Sequence, residues 1–112
     1  MEYTASLVKL NIDEKLAARR ADALARGIPV ADDETLQFLL LTLAMKQPTR
    51  ILEIGTAVGL SGVAMLQACP SARLTTMELE EDRFLEAKKN FEDFSVSSRV
   101  NAYLVMRRRF WR

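Results

Sequence analysis

The stretch RILEIGTAVGLS, Arg50 to Ser61, constrains this chain more than any other. Its short apolar run with one carboxylate, Ile51-Leu52-Glu53-Ile54, predicts a buried parallel strand. The run breaks at Gly55 into a loop closed by Gly59, and Ser61 opens an apolar segment of helical pattern. Strand, glycine loop and helix start, in that order, bring backbone N–H groups and a helix N-terminus against a bound ligand. The stretch therefore predicts a nucleotide-type cofactor site.

At 112 residues the chain allows one domain, and 49% hydrophobic residues suffice for a packed core. A net charge of +1, with acids and bases interspersed until the last residues, gives no global field toward nucleic acid or an anionic membrane. No apolar run reaches membrane-spanning length, and the N-terminus lacks a signal-peptide core. Cys69 is the one cysteine, which rules out a disulfide framework and suits the cytoplasm; its simplest role is as a buried apolar residue. Without histidine, the chain holds no Ser–His or Cys–His pair, and it offers no zinc site.

Before the glycine loop, Met1 to Asn11 has a weak helical pattern. Asp13 is placed to cap a helix with Leu16, Ala17, Ala21, Leu24 and Ala25 on its apolar face and Gly27 as its stop. Arg19, Arg20 and Asp22 fall on the other side, a solvated face or a contact for nucleic acid. After the extended Ile28-Pro29-Val30, Asp32 or Asp33 caps a second helix through Leu36, Phe38 to Leu41 and Leu43. That helix is apolar nearly all round, which predicts burial on more than one side.

Beyond the loop, Leu60 to Cys69 predicts a short apolar helix halted by Pro70, and Ala72 to Glu78 a second strand ending on a carboxylate. Glu80, Glu81 and Asp82 crowd the start of a helix with Phe84, Leu85, Ala87, Phe91 and Phe94 as its stripe. Arg99 to Val105 completes a third strand. The order α-α-β-α-β-α-β is the front half of a doubly wound α/β sheet with right-handed crossovers.

Three features converge on one ligand. The loop Gly55-Thr56-Ala57-Val58-Gly59 admits close approach to the backbone. Glu78, one βαβ unit on, stands where a carboxylate accepts both hydroxyls of a ribose, each such bond being worth roughly 1.5–3 kcal/mol. Glu53, buried before the loop, needs loop N–H groups or a ligand's ammonium group as partners. Ser61 fits a helix cap better than a nucleophile. The dinucleotide fingerprint G-x-G-x-x-G is not met, since Ala57 stands where its second glycine should be. An acidic strand end with this looser loop suits an adenosine without phosphates, favouring S-adenosylmethionine over NAD.

ILEIGTAVGLS and ARLTTMELEEDRFLEAKKNF resemble the first and second motifs of the catechol-type class I O-methyltransferases. The lead-in with IPV and DETLQFLL is similar to that of their bacterial branch, whose members include tRNA 5-hydroxyuridine methyltransferases and enzymes of catechols and related phenolics. The resemblance covers residues 13 to 104. It implies that Glu53, Gly55 and Gly59 shape a methionine pocket around Thr56 and Ala57. Ser61 would bond the methionine carboxylate and Glu78 the ribose, with Leu79 on the adenine and Val30 nearby. It also implies a divalent metal such as magnesium, whose ligands are absent from this sequence. Leu60 replaces the family's usual Tyr.

The sequence divides into a helical lead-in at 1–47, a βαβαβ cofactor half at 48–104 and a tail at 105–112. Where the family has Gly-Asp-Ala and a second half, this chain has Val-Met-Arg-Arg-Arg-Phe-Trp-Arg. Written with G-ending Val and CGG arginine codons, one G restored after the Leu104 codon turns that tail into Gly-Asp-Ala-Ala-Ala-Val-Leu-Ala; any Val codon forces the Gly, whereas Asp is one of four outcomes. An out-of-frame tail on a truncated chain is therefore expected; a basic tail for RNA or phospholipid is the other reading. A first strand without flanking strands is a pairing hazard, which predicts a homo-oligomer. The expected activity is methyl transfer to a small phenolic hydroxyl or to hydroxyuridine in tRNA. The alternative is a non-catalytic cofactor-binding or self-associating fragment.

Overall fold

A computed structural model describes residues 12–106. The helical pattern at Met1 to Asn11 and the tail from Arg107 onward lie outside the described residues. Asp13 caps α1 (Glu14–Ala25), its carboxylate accepting from Leu16 N at 2.6 Å. Asp32 rather than Asp33 caps α2 (Asp33–Lys46), accepting from Thr35 N at 2.7 Å. Then follow β1 (Arg50–Ile54), α3 (Leu60–Ala68), β2 (Arg73–Glu78), α4 (Glu81–Asp93), a 3-10 turn (Ser97–Arg99) and β3 (Val100–Leu104). The strands form one parallel sheet in the order β1-β2-β3. The expected element order is observed.

Helix α3 is the hub, because nearly every one of its residues is apolar and small enough to be surrounded. Leu60 and Gly62 to Leu66 are buried, and the helix touches α1, α2, α4 and β2. Its packing depends on two glycines. A Cβ on Gly59 would stand 2.9 Å from the Phe91 ring and 3.2 Å from the Ala87 Cα. One on Gly62 would stand 2.8 Å from Leu74. Arg99 closes the other end: its guanidinium donates to the carbonyls of Leu66, Cys69, Pro70 and Ala72 at 3.0–3.1 Å. A cation there satisfies carbonyls that the last helical turn leaves unpaired. Cys69 is fully buried just beyond the helix end.

Three burial expectations are corrected. Strand β1 is parallel but buried on one side only: Leu52 is 65% exposed and Ile54 75%. With Tyr103 they mark a sheet face left largely open among the described residues, whereas Leu74, Thr76 and Glu78 are buried on the face that α3 and α4 cover. Helix α2 buries Leu36 and Leu43 but exposes Phe38, Leu41 and Met45, so its apolar circumference is used on one side alone. On α1 the buried stripe is Leu16, Arg20 and Ala23, and Leu24 is exposed. Arg20 is thus inside, not on a solvated face; it donates to Asp33 at 2.8 Å and to the Ala31 carbonyl at 2.9 Å. Periodicity gave Arg20 to solvent because it weighs polarity and not available partners.

Gly59 combines a positive φ of 84° with the Phe91 contact. Gly59→Ala is expected to cost about 2–4 kcal/mol, adding left-handed strain to overpacking. Urea denaturation against the parent chain measures it.

Candidate functional site

The loop after β1 folds over the end of β2. Gly55 N and Thr56 N both donate to the Met77 carbonyl, at 2.8 and 3.0 Å, and Gly59 N donates to the Thr56 carbonyl. Ala57 N donates to Glu78 Oε1 at 2.7 Å. Asn90 of α4 donates to the Val58 carbonyl at 2.7 Å, and Arg19 holds that amide's oxygen at 2.6 Å. These bonds correct the expectation that the loop N–H groups face a ligand: four of them are consumed in fixing the loop. Further N–H groups belong to the first turn of α3, which no side chain caps. Gly59 is the residue at the cap position; Ser61 lies within the helix.

A cavity of about 410 Å³ opens against this loop, within the size range of small-molecule sites. Glu53, Gly55, Thr56, Ala57, Ser61, Glu78 and Val30 all line it. Gly59 and Leu79 do not: Gly59 packs beneath the loop, and Leu79 is half exposed beyond Glu78. Gly55 has φ +90° and open space where a Cβ would lie, which leaves the cavity floor clear. Arg83 of α4 also lines the cavity and was missed by sequence reasoning. Its signal was faint, a lone arginine one turn into an acidic helix start. Asn90 was missed as well, because a polar residue on a helix gives no sign of a buried carbonyl in the loop after β1.

The two carboxylates differ. Glu78 is buried, with Oε1 accepting from Ala57 and Oε2 from Leu79 N at 3.1 Å and Glu80 N at 2.9 Å. A carboxylate offers about four lone-pair sites, so ligand hydroxyls would share oxygens already in use. Glu53 accepts at Oε1 from Thr76 at 2.9 Å and from no loop N–H. Burial pushes its carboxyl up to about 7; the Thr76 bond opposes that rise and the nearby Glu78 charge adds to it.

No group of three or more His, Cys, Asp or Glu among the described residues could hold a metal ion. The expected magnesium finds no fit among them. Nor is any described helix long and apolar enough to cross a membrane.

No protein-family model matches the chain. Among solved structures it is similar to a Staphylococcus aureus protein provisionally identified as a caffeoyl-CoA O-methyltransferase, with a TM-score of 0.82 and 24% identity over 96% of this chain and 50% of that one. It is similar also to the O-methyltransferase TomG from Streptomyces achromogenes, involved in tomaymycin synthesis and solved in complex with SAM. There the TM-score is 0.73 and the identity 28%, over 91% of this chain and 47% of that one. An O-methyltransferase from Bacillus cereus in complex with SAH aligns with a TM-score of 0.75 and 24% identity, over 92% and 49%. The fold is therefore that of the N-terminal half of a Rossmann-like methyltransferase. The chain spans about half the length of these structures.

Folded Glu53 keeps its proton up to about pH 7, whereas the unfolded carboxyl loses it near 4.5. Between those values the folded state binds more protons, so this group makes stability fall as pH rises. The difference in melting temperature between the parent and Glu53→Gln, followed from pH 4.5 to 7.5, is expected to move steadily in favour of the glutamine variant.

Proposed function

We propose that this chain is the cofactor-binding part of a cytoplasmic S-adenosylmethionine-dependent O-methyltransferase. The observation that carries the reading is the convergence of Glu53, Glu78 and the Gly55–Gly59 loop, from consecutive parallel strands, on one cavity. The SAM and SAH complexes of TomG and the Bacillus cereus enzyme support it.

In this reading Glu53 offers its cavity-facing oxygen to the ligand's ammonium group. Ser61 and the uncapped first turn of α3 receive the methionine carboxylate, at the positive end of the helix dipole. Glu78 holds the ribose, Leu79 covers the adenine from the rim, and Val30 closes the opposite side. Gly55 and Gly59 shape the pocket, with Thr56 and Ala57 as the wall between them. The bound cofactor supplies the sulfonium methyl group; the chain's part is to hold it in one orientation, a source of rate by itself. The acceptor is a hydroxyl, on a small phenolic or catechol-like molecule or on hydroxyuridine in tRNA, where the bacterial branch of the resembled family acts.

A second reading, a non-catalytic module that self-associates, is favoured by one observation. Leu52 and Ile54 on β1 are exposed, as are Phe38, Leu41 and Met45 on α2, and a parallel sheet is normally covered on both faces.

Calorimetry is expected to show binding of S-adenosylmethionine and not of NAD, with Glu78→Ala weakening it by at least about tenfold. Methyl transfer to catechol or to hydroxyuridine tRNA, with and without magnesium, separates the enzyme from the module. Sedimentation is expected to show self-association. A monodisperse monomer that unfolds cooperatively would remove the oligomer from the proposal.

A further inference from the structure

Beneath the cavity, three side chains form a chain of hydrogen bonds. Thr56 and Thr76 are both buried, and their hydroxyl oxygens stand 2.5 Å apart. Thr76 in turn lies 2.9 Å from Glu53 Oε1. Glu53 and Thr76 are paired in register on β1 and β2, so the sheet itself holds them together. Thr56 belongs to the loop.

Each hydroxyl has one proton, which fixes the direction of the chain. With Glu53 ionised, Thr76 must donate to Oε1, and Thr56 must then donate to Thr76. With Glu53 protonated at Oε1, that carboxyl donates to Thr76, and the Thr76 proton is released to donate to Thr56 in turn. Ionised Glu53 therefore admits one orientation of the three groups, and protonated Glu53 opens a second.

We infer that Thr76 is a positioning residue of the site, which aims the Glu53 carboxylate at the cavity and passes its charge state to Thr56 in the loop. The inference rests on the proposed cofactor site only for its effect on binding. Oε1 is engaged by Thr76, and the second oxygen accepts no bond from the described residues. A ligand cation thus meets a carboxylate already oriented.

The charges around Glu53 are few. Glu78 of β2 opposes its ionisation. Arg83 of α4 lines the same cavity. The part of α3 packed against Glu53 brings Gly62, whose added Cβ would lie 3.6 Å from Oε1, and no charged side chain. The Pro29-Val30-Ala31 segment adds none.

The test uses the full chain with 13C-labelled glutamate carboxyls, the Glu53 signal being the one lost in Glu53→Gln. NMR titration of the parent, Thr76→Val and Thr76→Ser follows Glu53 without any ligand. Thr76→Val keeps the shape but removes the donor, so the Glu53 midpoint is expected to rise by about one pH unit, and Thr76→Ser to restore it. The Thr56 methyl resonance should follow the Glu53 midpoint in the parent and cease to follow it in Thr76→Val. S-adenosylmethionine affinity at pH 7 should fall about tenfold in the valine variant and recover in the serine variant. A folded Thr76→Val with an unmoved Glu53 midpoint overturns the inference. If that variant does not fold, Thr56→Val must raise the midpoint by a smaller amount, and no rise overturns it equally. A moved midpoint with no cofactor binding at any pH leaves the relay standing and defeats the proposed function instead.

Discussion

The parallel register of β1 against β2 is the constraint on which the rest of the site depends. Glu53 lies opposite Thr76, and Ile54 opposite Met77. Because side chains alternate across a sheet, a slip of one residue would move Glu53 to the open face and leave Thr76 buried without a carboxylate. The same register brings the end of β1 level with the Met77 carbonyl, where Gly55 N and Thr56 N are both captured. One set of strand bonds thus fixes a carboxylate, a hydroxyl and the path of the loop.

Helix α3 turns that local geometry into a cavity. It approaches α4 closely because Gly59 carries no Cβ where Phe91 passes, and the sheet because Gly62 carries none where Leu74 passes. Asn90 and Arg19 then brace the loop from outside, through the Val58 carbonyl. A glycine in such a loop invites a ligand-based explanation. Here Gly59 serves packing, and Gly55, with nothing near its missing Cβ, is the one that leaves room. The two glycines of a single motif have different physical reasons.

The apolar surface has the opposite character. Leu52, Ile54, Phe38 and Met45 have the composition of core residues and the exposure of surface ones. The apolar run of β1 is that of a sheet covered on both faces, but the described helices cover only one. Hydrophobic burial is the main term favouring a fold, so this surface is where association or further chain would contribute most.

Periodicity, caps and breakers made the element order legible from residues alone. Asp13 and Asp32 cap their helices, Gly27 and Gln47 end them, and the three strands fall where apolar runs meet turn residues. The glycine loop and the two strand-end carboxylates were equally legible, since their chemistry is carried by residue type and spacing. Which partners those groups take was not. Glu53 bonds Thr76 and not the loop, Arg20 is buried on Asp33, and Arg83 and Asn90 join the site from a helix three elements away. Local propensity acts within a few residues, so the chain alone specifies strands, loop and helices. Pairing between groups a dozen or more residues apart depends on strand register and on how closely helices approach, and tertiary packing alone decides that.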